Sequence, residues 1–383
     1  MGIYLDHNAT TPLDPRVRAA WREHQEAGLG NPSSLHGPGR RARALIDEAR
    51  ERLAAALGVH EDELVFTGGG TEAINLALIG RFEAGPAAAQ RIGLASIEHA
   101  AVIECARALE RRSAELVWIP VDSLGKPRIE PEFEALAACD LLSLPWANGE
   151  IGAVWPVAEL AARLRAGGFR GTLFSDLVQA VGRVPVDLRA AGLDLAAISA
   201  HKLGGPLGVG VLFVRRGVRL APRSFGGGQE AGLRPGTEDA ARIAAAALAI
   251  ELALGEQRER AARWREQSQL FLAALARHGL SFELNGPAAQ DPERLPNTLN
   301  LSASGGDGKV LVTRLDLEGL EVSSGSACAS GSIEPSHVLR ALGRDDDAAR
   351  RGLRLSLGSS TRAEELERAA EILARVLGAP PSR

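Results

Sequence analysis

The chain has 383 residues, which is long enough for two domains, and its 45% hydrophobic and 24% charged content is that of a globular protein. With 44 basic and 48 acidic side chains the formal net charge is −4, so the charge balance gives no reason to expect nucleic acid or an anionic membrane as a partner. No apolar stretch approaches bilayer length, and the first residues lack the basic and apolar regions of a signal peptide.

The first half of the chain alternates helical and strand-like segments. Helical periodicity covers 40–57 and 71–82, and an apolar strand at 63–67 separates them. Further strands are predicted at 92–96, 116–119, 141–144, 172–175, 195–200 and 211–214. This alternation predicts an α/β fold with a mainly parallel sheet flanked by helices, and ligands of such sheets bind beyond the carboxyl ends of the strands.

The second half of the chain has a different pattern. A long helical stretch at 236–277 is interpreted as the passage between two domains. Beyond it, elements are predicted at 298–301, 310–317, 322–323 and 353–357, with a helix from Glu364, which indicates a smaller α+β domain. We therefore expect a large domain at 14–255 and a small domain at 256–383, joined by the N-terminal segment 1–13.

Lys202 ends the short, mainly apolar run 194–202 and is followed by glycines and a proline. A lysine at such a strand end can be partly desolvated, which lowers its pKa and makes the amine a nucleophile toward carbonyls. Enzymes that use pyridoxal phosphate (PLP) need a lysine of this kind for the Schiff base. Taken alone, a lysine after a strand is more often a solvated strand end.

Three glycines, 68–70, precede Thr71 between a predicted strand and a predicted helix. Glycines let the backbone approach an anion, and the helix start offers unpaired N–H groups, so phosphate binding is one interpretation. A tight turn capped by Thr71 is the other. The run is no Walker A loop, because Gly-Lys-Ser/Thr does not follow.

Two polar residues follow predicted strands. Asp176 comes after 172–175, where a buried carboxylate requires a cation such as a protonated pyridine nitrogen; a helix N-cap is the alternative. His99 follows 92–96, where it can stack on an aromatic ring and exchange protons, or cap a helix.

Two further residues can bind a substrate or cofactor. Asn148 can hydrogen-bond a ring oxygen or a substrate carboxylate, although Asn148-Gly149 is equally a turn signal. Arg354 lies in an alternating strand and can clamp a carboxylate, with a structural ion pair as the alternative.

The three cysteines, Cys105, Cys139 and Cys328, form neither a disulfide framework nor a zinc pair, so a reducing cytoplasm is expected and no metal site. Cys328 lies among glycines, serines and alanines at 322–332, where a thiol is exposed and nucleophilic as the thiolate. Cys105 and Cys139 lie in apolar contexts typical of inert thiols.

Taken together, these motifs resemble the cysteine desulfurases, PLP enzymes of aminotransferase class V with fold type I. The resemblance covers nearly the whole chain and is carried by the segments 4–12, 31–36, 66–72, 98–102, 199–202, 226–230, 234–237, 297–300, 323–330, 335–339 and 354–358. The chain departs from the family pattern at Gly68, Ile74, Gly149, Leu177, Leu207 and Pro235. None of these departures removes a group with a named chemical role.

The resemblance implies a role for each candidate residue. Lys202 would bind the cofactor and move the Cα proton, His99 would stack on the ring as acid and base, and Cys328 would attack the substrate sulfur. Asp176 and Gln179 would contact the pyridine nitrogen and the ring hydroxyl. The phosphate would be held by Gly70, Thr71, Ser199 and His201, with Thr237 from a second subunit, and the substrate carboxylate by Asn148 and Arg354.

The resemblance thus implies a homodimer that converts L-cysteine to L-alanine and carries sulfur on Cys328 as a persulfide. The longer cysteine loop resembles that of the group serving iron–sulfur cluster assembly, so an acceptor or scaffold protein is an expected partner. A selenocysteine lyase or another C–S lyase on the same fold is the nearest alternative. A non-catalytic sulfur-relay or scaffold protein is the alternative from another class.

Overall fold

The computed structural model describes residues 2–85, 90–302, 307–325 and 334–378. Its strands are β1 Ile3–Tyr4, β2 Leu64–Thr67, β3 Arg91–Ala95, β4 Glu115–Ile119, β5 Leu141–Ser143, β6 Thr172–Asp176, β7 Leu195–Ser199, β8 Gly210–Val214, β9 Glu283–Leu284, β10 Thr298–Ser302, β11 Leu320–Glu321 and β12 Gly352–Ser356. Its helices are α1 Pro15–Glu26, α2 Gly37–Leu57, α3 Gly70–Ala84, α4 Ala100–Glu110, α5 Phe133–Ala137, α6 Val157–Ala166, α7 Ala240–Gly255, α8 Gln257–Arg277, α9 Gly308–Leu317, α10 His337–Ala341, α11 Asp346–Arg350 and α12 Ala363–Leu377. Within these ranges no helix is both long and apolar enough to cross a bilayer.

The largest sheet has seven strands in the order β2-β8-β7-β6-β5-β3-β4. From β4 to β7 every neighbouring pair is parallel, and β8 runs antiparallel to both β2 and β7. The expected mainly parallel sheet in an α/β fold is therefore confirmed, and β8 accounts for its mixed character.

Helices cover both faces of this sheet. Along β7, Leu195 and Ala197 pack with residues of α3 and α4, whereas Ala196 and Ile198 pack with residues of α2, α6 and α7. Alternate residues of a strand point to opposite faces, so a strand buried on both faces must be apolar throughout. This is why the strand runs could be recognised in the sequence.

A second group of elements has a core of its own. The antiparallel sheet β12-β10-β9 and the parallel pair β1-β11 pack with α8, α9 and α12 around Trp264, Phe271 and Ile372. Ile3 and Leu5 belong to this core, so the N-terminal segment packs with the C-terminal elements. Residues of α10 and α11 pack instead against the core of the large sheet. The division at 255/256 stays a prediction.

The helical stretch predicted at 236–277 is two helices, α7 and α8, which meet at Glu256. The strand predicted at 322–323 differs: β11 ends at Glu321, and Ser323 forms only an isolated bridge to Arg354. The sequence pattern does not predict helix α1, since Val17 is the only residue that it buries among its mostly polar side chains. Its start does carry local signals, because Asp14 caps it and Pro15 begins it.

Candidate active site

A cavity of about 90 Å³ lies beyond the carboxyl ends of the parallel strands β3, β5, β6 and β7. A polar residue that lines the cavity lies at the end of each strand or within five residues of it, namely His99, Asn148, Asp176 and Lys202, and parallel strands present those ends at one edge of the sheet. Six of the predicted site residues line the cavity: His99, Asn148, Asp176, Gln179, Lys202 and Arg354. The structure therefore brings these six residues together, and their roles stay predictions.

Lys202 ends a short 3-10 turn, Ala200–Lys202, that follows β7 directly. Its ammonium group donates hydrogen bonds to the backbone carbonyls of Asn8, at 2.7 Å, and Ala9, at 2.6 Å. The N-terminal segment thus holds the half-buried lysine against the wall of the cavity. These carbonyls are polar partners that the amine can exchange for others.

Asp176 is the last residue of β6, and its Oδ1 accepts a hydrogen bond from the Val178 N–H at 2.9 Å. Burial raises the pKa of Asp176, against the lowering influence of His99, the Val178 amide and Lys202. The capping alternative is thus partly correct, since one oxygen satisfies a turn amide. The carboxylate nevertheless faces the cavity, where a cation would stabilise its charged form.

Gln179 lies one turn beyond Asp176. Its Nε2 donates to the Asn8 carbonyl at 3.0 Å, while its Oε1 is buried with no hydrogen-bond partner. A buried amide oxygen without a partner is costly, so a ligand or water that donates to it would be stabilised there.

His99 is the N-cap of α4, and its Nδ1 accepts a hydrogen bond from the Ala101 N–H at 3.1 Å. Helix capping and a place in the cavity wall are therefore both properties of this histidine. Because Nδ1 accepts, we assign the proton of the neutral ring to Nε2.

Asn148 uses its side chain to shape a turn. Its Nδ2 donates to the Ile97 carbonyl at 2.8 Å, and its Oδ1 accepts from the amides of Glu150, at 2.9 Å, and Ile151, at 3.0 Å. The turn alternative is correct. One amide N–H of Nδ2 is left for a ligand in the cavity, because the group has two donors.

Arg354 lies in β12 and is 3% exposed. Its Nη2 donates to Asp6 Oδ1 at 2.7 Å, its Nη1 reaches the Gly149 carbonyl at 3.5 Å, and its Nε is buried without a partner. The alternative of a structural ion pair is therefore correct, yet the guanidinium also lines the cavity and keeps donors for a carboxylate.

The four residues predicted to hold a phosphate lie at the start of α3, at the end of β7 and in the turn that follows it, and they do not line this cavity. Helix α3 begins at Gly70, and its N-cap is Gly69 rather than Thr71, so the capping alternative for Thr71 is wrong. A Cβ on Gly70 would lie 3.4 Å from Ser199 Cβ and 3.0 Å from Val178 Cγ2, which places this helix start against the ends of β7 and β6.

His201 lies beside the N-terminal segment. Its Nδ1 lies 3.1 Å from Thr10 Oγ1, and burial, Lys202 and Arg183 lower the pKa of His201 to about 4. A neutral imidazole and the first amides of α3 make a suitable site for an anion.

Five predicted site residues do not line the cavity: Gly70, Thr71, Ser199, His201 and Thr237. Thr237 is exposed and does not line it. Cys328 lies outside the described residues. A larger cleft of about 780 Å³ lies elsewhere, beside Arg50 and Glu230, and contains none of the predicted site residues.

The sequence interpretation gave no role to four residues that line the cavity: Asn8, Glu98, Glu150 and His337. Glu98 is buried, accepts from Ser143 Oγ at 2.5 Å, and has a pKa raised to about 8 by burial. His337 lies beside it, with its Nε2 3.0 Å from the Glu98 carbonyl oxygen. Asn8, Glu98 and His337 lie within segments already noted, and Glu150 directly follows the Asn148-Gly149 turn; these positions are the signal that could have identified them.

Comparison with known proteins shows the family of this chain. Residues 3–369 match the aminotransferase class-V family. A relative named cysteine desulfurase IscS, from Dictyoglomus turgidum, is 39% identical over 98% of this chain and 94% of its own. The chain belongs to the cysteine desulfurases of the class-V family.

Solved structures of cysteine desulfurase relatives agree with this assignment. One, named a NifS-like protein, superposes with a TM-score of 0.91 at 33% identity and covers 99% of this chain and 100% of its own. Another, described as SspA in complex with cysteine, has a TM-score of 0.78 at 29% identity and covers 92% and 98%. The fold expected from the sequence is thereby confirmed.

The cysteine desulfurase family uses pyridoxal phosphate, and the cavity fits this group. It presents an amine on Lys202, a half-buried carboxylate on Asp176, and a buried, unpartnered amide oxygen on Gln179. The start of α3 lies next to the end of β7, because a Cβ on Gly70 would lie 3.4 Å from Ser199 Cβ. A ring with a cationic nitrogen, a polar substituent and a phosphate matches this set of partners.

Proposed function

We propose that this chain removes sulfur from L-cysteine, leaving L-alanine, carries it on Cys328 as a persulfide, and passes it to an acceptor protein for iron–sulfur clusters or other thio-cofactors. The observation that carries the proposal is the meeting of Lys202, Asp176 and Arg354 in one cavity of a cysteine desulfurase. The relative solved with bound cysteine supports the choice of substrate.

The cofactor would be bound through the Lys202 amine. Pyridoxal phosphate supplies an electron sink that makes the Cα proton of a bound amino acid acidic. The Asp176 carboxylate would hold a positive charge on the ring nitrogen, Gln179 would contact the ring hydroxyl, and the start of α3 would hold the phosphate. His99 would stack against the ring.

Substrate binding rests on Arg354. Its guanidinium would take the cysteine carboxylate as a second anionic partner beside Asp6, and the remaining N–H of Asn148 would assist. Lys202, once released by the substrate, would move the proton at the cysteine Cα, and His99 would exchange protons through its Nε2.

Sulfur transfer would be performed by Cys328. Its thiolate would attack the substrate sulfur, so that an S–S bond forms while the bond between sulfur and the substrate Cβ breaks. The small, polar sequence at 322–332 suits a carrier that must reach both the cavity and an acceptor. Cys105 and Cys139 are buried, and burial raises their pKa values to about 11 and about 12. Both thiols therefore stay protonated near pH 7 and are poor nucleophiles.

The proposal includes a homodimer with shared sites. Thr237 is exposed and does not line the cavity of its own chain, which suits a role at the phosphate of a partner subunit. Leu35 and Phe225, each 89% exposed, supply apolar surface that association would cover. A cytoplasmic location is proposed because the described cysteines are free thiols.

A reconstitution experiment tests the proposal. The purified chain with pyridoxal phosphate should be yellow, lose its visible band in Lys202→Ala, and form equal amounts of alanine and sulfide from L-cysteine with a thiol reductant. A colourless wild-type protein after reconstitution would contradict it and favour a non-catalytic scaffold. Turnover of L-selenocysteine but not of L-cysteine would favour the selenocysteine lyase alternative.

A further inference from the structure

A second cavity of about 90 Å³ shares Lys202 with the first. Its wall brings together the N-terminal segment, the turn after β6, the start of α8 and the end of β12. It therefore lies where elements of both hydrophobic cores meet. None of the cofactor or substrate roles above uses its distinctive residues, which are His7, Arg183, Arg260, Ser359 and Ser360.

Arg183 is the most unusual of these residues. It is 2% exposed, and its guanidinium reaches only the backbone carbonyls of Val178, at 3.4 Å, and Lys202, at 3.2 Å. No carboxylate of the described chain lies within ion-pair distance of it. Burial, together with the positive charges of Arg260 and Arg354, lowers the pKa of Arg183 to about 9. A buried cation without a counter-ion is costly, so this site favours a bound anion.

The remaining walls add to the positive potential. Of the Asp, Glu, Lys and Arg side chains that line the cavity, Arg183, Lys202 and Arg260 are basic and only Asp14 is acidic. Asp14 is already held by Arg16, which contacts both of its carboxylate oxygens. The carboxylate nearest to Arg260 is Glu256, which Arg16 also contacts, so these acidic groups do not compensate Arg183.

A second observation points to a ligand independently. His7 is 2% exposed, and its Nδ1 is buried without a hydrogen-bond partner. Burial and Arg183 lower the pKa of His7 to about 4, so the ring is neutral at pH 7 and can present an N–H in place of a charge. The hydroxyls of Ser359 and Ser360 lie on the same wall.

The size of the cavity limits the occupant. A volume of about 90 Å³ exceeds the roughly 10–15 Å³ that one water needs on the same measure. The space therefore accepts a compact polyatomic ion.

We propose that this cavity is a binding site for a small inorganic anion, chloride or an oxyanion no larger than sulfate, held between Arg183, His7 and Arg260. The anion compensates Arg183 and connects the N-terminal segment, the turn after β6 and α8. It therefore stabilises the arrangement of the two cores around Lys202. The site exists whatever reaction the first cavity performs.

Bromide is a suitable probe, since it replaces chloride and is located by anomalous diffraction. In crystals of the wild-type holoenzyme soaked in sodium bromide, an anomalous peak is expected in this cavity, within contact of the Arg183 guanidinium. In solution, sodium bromide or sodium sulfate should raise Tm saturably, by about 2–4 °C at a hundredfold excess over Kd. Sodium gluconate at equal ionic strength, whose anion is bulkier than bromide or sulfate, should not.

Two variants separate the site from general salt effects. Arg183→Met should abolish the saturable part of the rise, while Arg258→Met, which removes an exposed cation from the same helix as Arg260, should retain it. Equal rises with gluconate and bromide would overturn the proposal, as would bromide bound elsewhere with none in this cavity. Bromide bound only at soaking concentration, without a saturable rise, would overturn it too. If Arg183→Met fails to fold, the wild-type measurements still decide.

Discussion

Arg354 and Asp6 form an ion pair at 2.7 Å between residues 348 positions apart, and the guanidinium of this pair faces the active-site cavity. Arg354 is buried on β12, whereas Asp6 keeps 19% of its side chain exposed. The pair fixes the N-terminal segment to the C-terminal sheet and orients the guanidinium. Substrate binding and fold stability thus depend on the same side chain.

Replacing Arg354 should weaken cysteine binding. A hydrogen bond to a charged group contributes about 1.5–3 kcal/mol, so Arg354→Gln should raise KM for L-cysteine by about 10- to 100-fold. Asp6→Asn, which leaves the guanidinium but loosens its orientation, should raise KM by less. Steady-state kinetics of alanine formation measure KM for both variants. Arg354→Lys is the matched control, because it keeps the positive charge but cannot form two parallel hydrogen bonds to a carboxylate. An unchanged KM in Arg354→Gln would remove this arginine from the substrate site.

Gly149, one of the departures from the family pattern, lies directly against the Gln179 side chain. A Cβ at this position would lie 2.7 Å from Gln179 Cγ and 2.9 Å from its Nε2, closer than real contacts allow. Gly149→Ala should therefore displace Gln179 and weaken the binding of pyridoxal phosphate, by about tenfold if one hydrogen bond is lost. Titration of the apoprotein, followed by the visible band, measures this.

The control for Gly149→Ala is Gly255→Ala, because a Cβ at Gly255 meets nothing within 4 Å. It should bind the cofactor as the wild type does. A double-mutant cycle with Gln179→Ala adds a sharper test: in that background Gly149→Ala should have little further effect. An equal loss in both backgrounds would show that the displacement of Gln179 is not the cause.

Glu98 should lower the free energy of unfolding as the pH rises, whereas an ion-paired carboxylate raises it. Its pKa is raised to about 8, so between about pH 4.5 and pH 8 the folded state holds a proton that the unfolded state has lost. This contribution to stability is complete below about pH 4.5 and is lost as the pH rises through about 8.

Glu98→Gln replaces the protonated carboxyl by a neutral group of the same shape. Its free energy of unfolding should fall less between pH 5 and pH 8 than that of the wild type. His7 and His201, whose pKa values are lowered to about 4, act in the opposite direction below about pH 6.5, and both proteins retain them. Denaturant titrations at several pH values measure the difference, and parallel pH profiles would show that Glu98 is ionised in the folded state.

The sheet and much of the site could be predicted because their signals are local. Strands buried on both faces are continuous apolar runs, and a polar residue after such a run lies at the ligand-binding edge. Asp176 and Lys202 end or follow β6 and β7, which are neighbours in the sheet, so the two side chains meet once the strands pair.

What could not be predicted depends on contacts between distant parts of the chain. Nothing near Asp6 indicates that it pairs with Arg354, and nothing near Glu98 shows that its carboxyl is buried against Ser143. The unpaired charge of Arg183 likewise follows from the packing around it, because the sequence 176–184 does not reveal which carboxylates come close.

The most direct test of the proposed function compares wild type with Cys328→Ser, both shown to bind pyridoxal phosphate by their visible bands. With L-cysteine as substrate, alanine is measured by amino-acid analysis, and Cys328 is examined by mass spectrometry for one added sulfur atom. The wild type should form alanine and carry the extra sulfur on Cys328, while Cys328→Ser should bind cysteine but form alanine at least about 100-fold more slowly. Full alanine formation by Cys328→Ser, or added sulfur on another cysteine, would contradict the account.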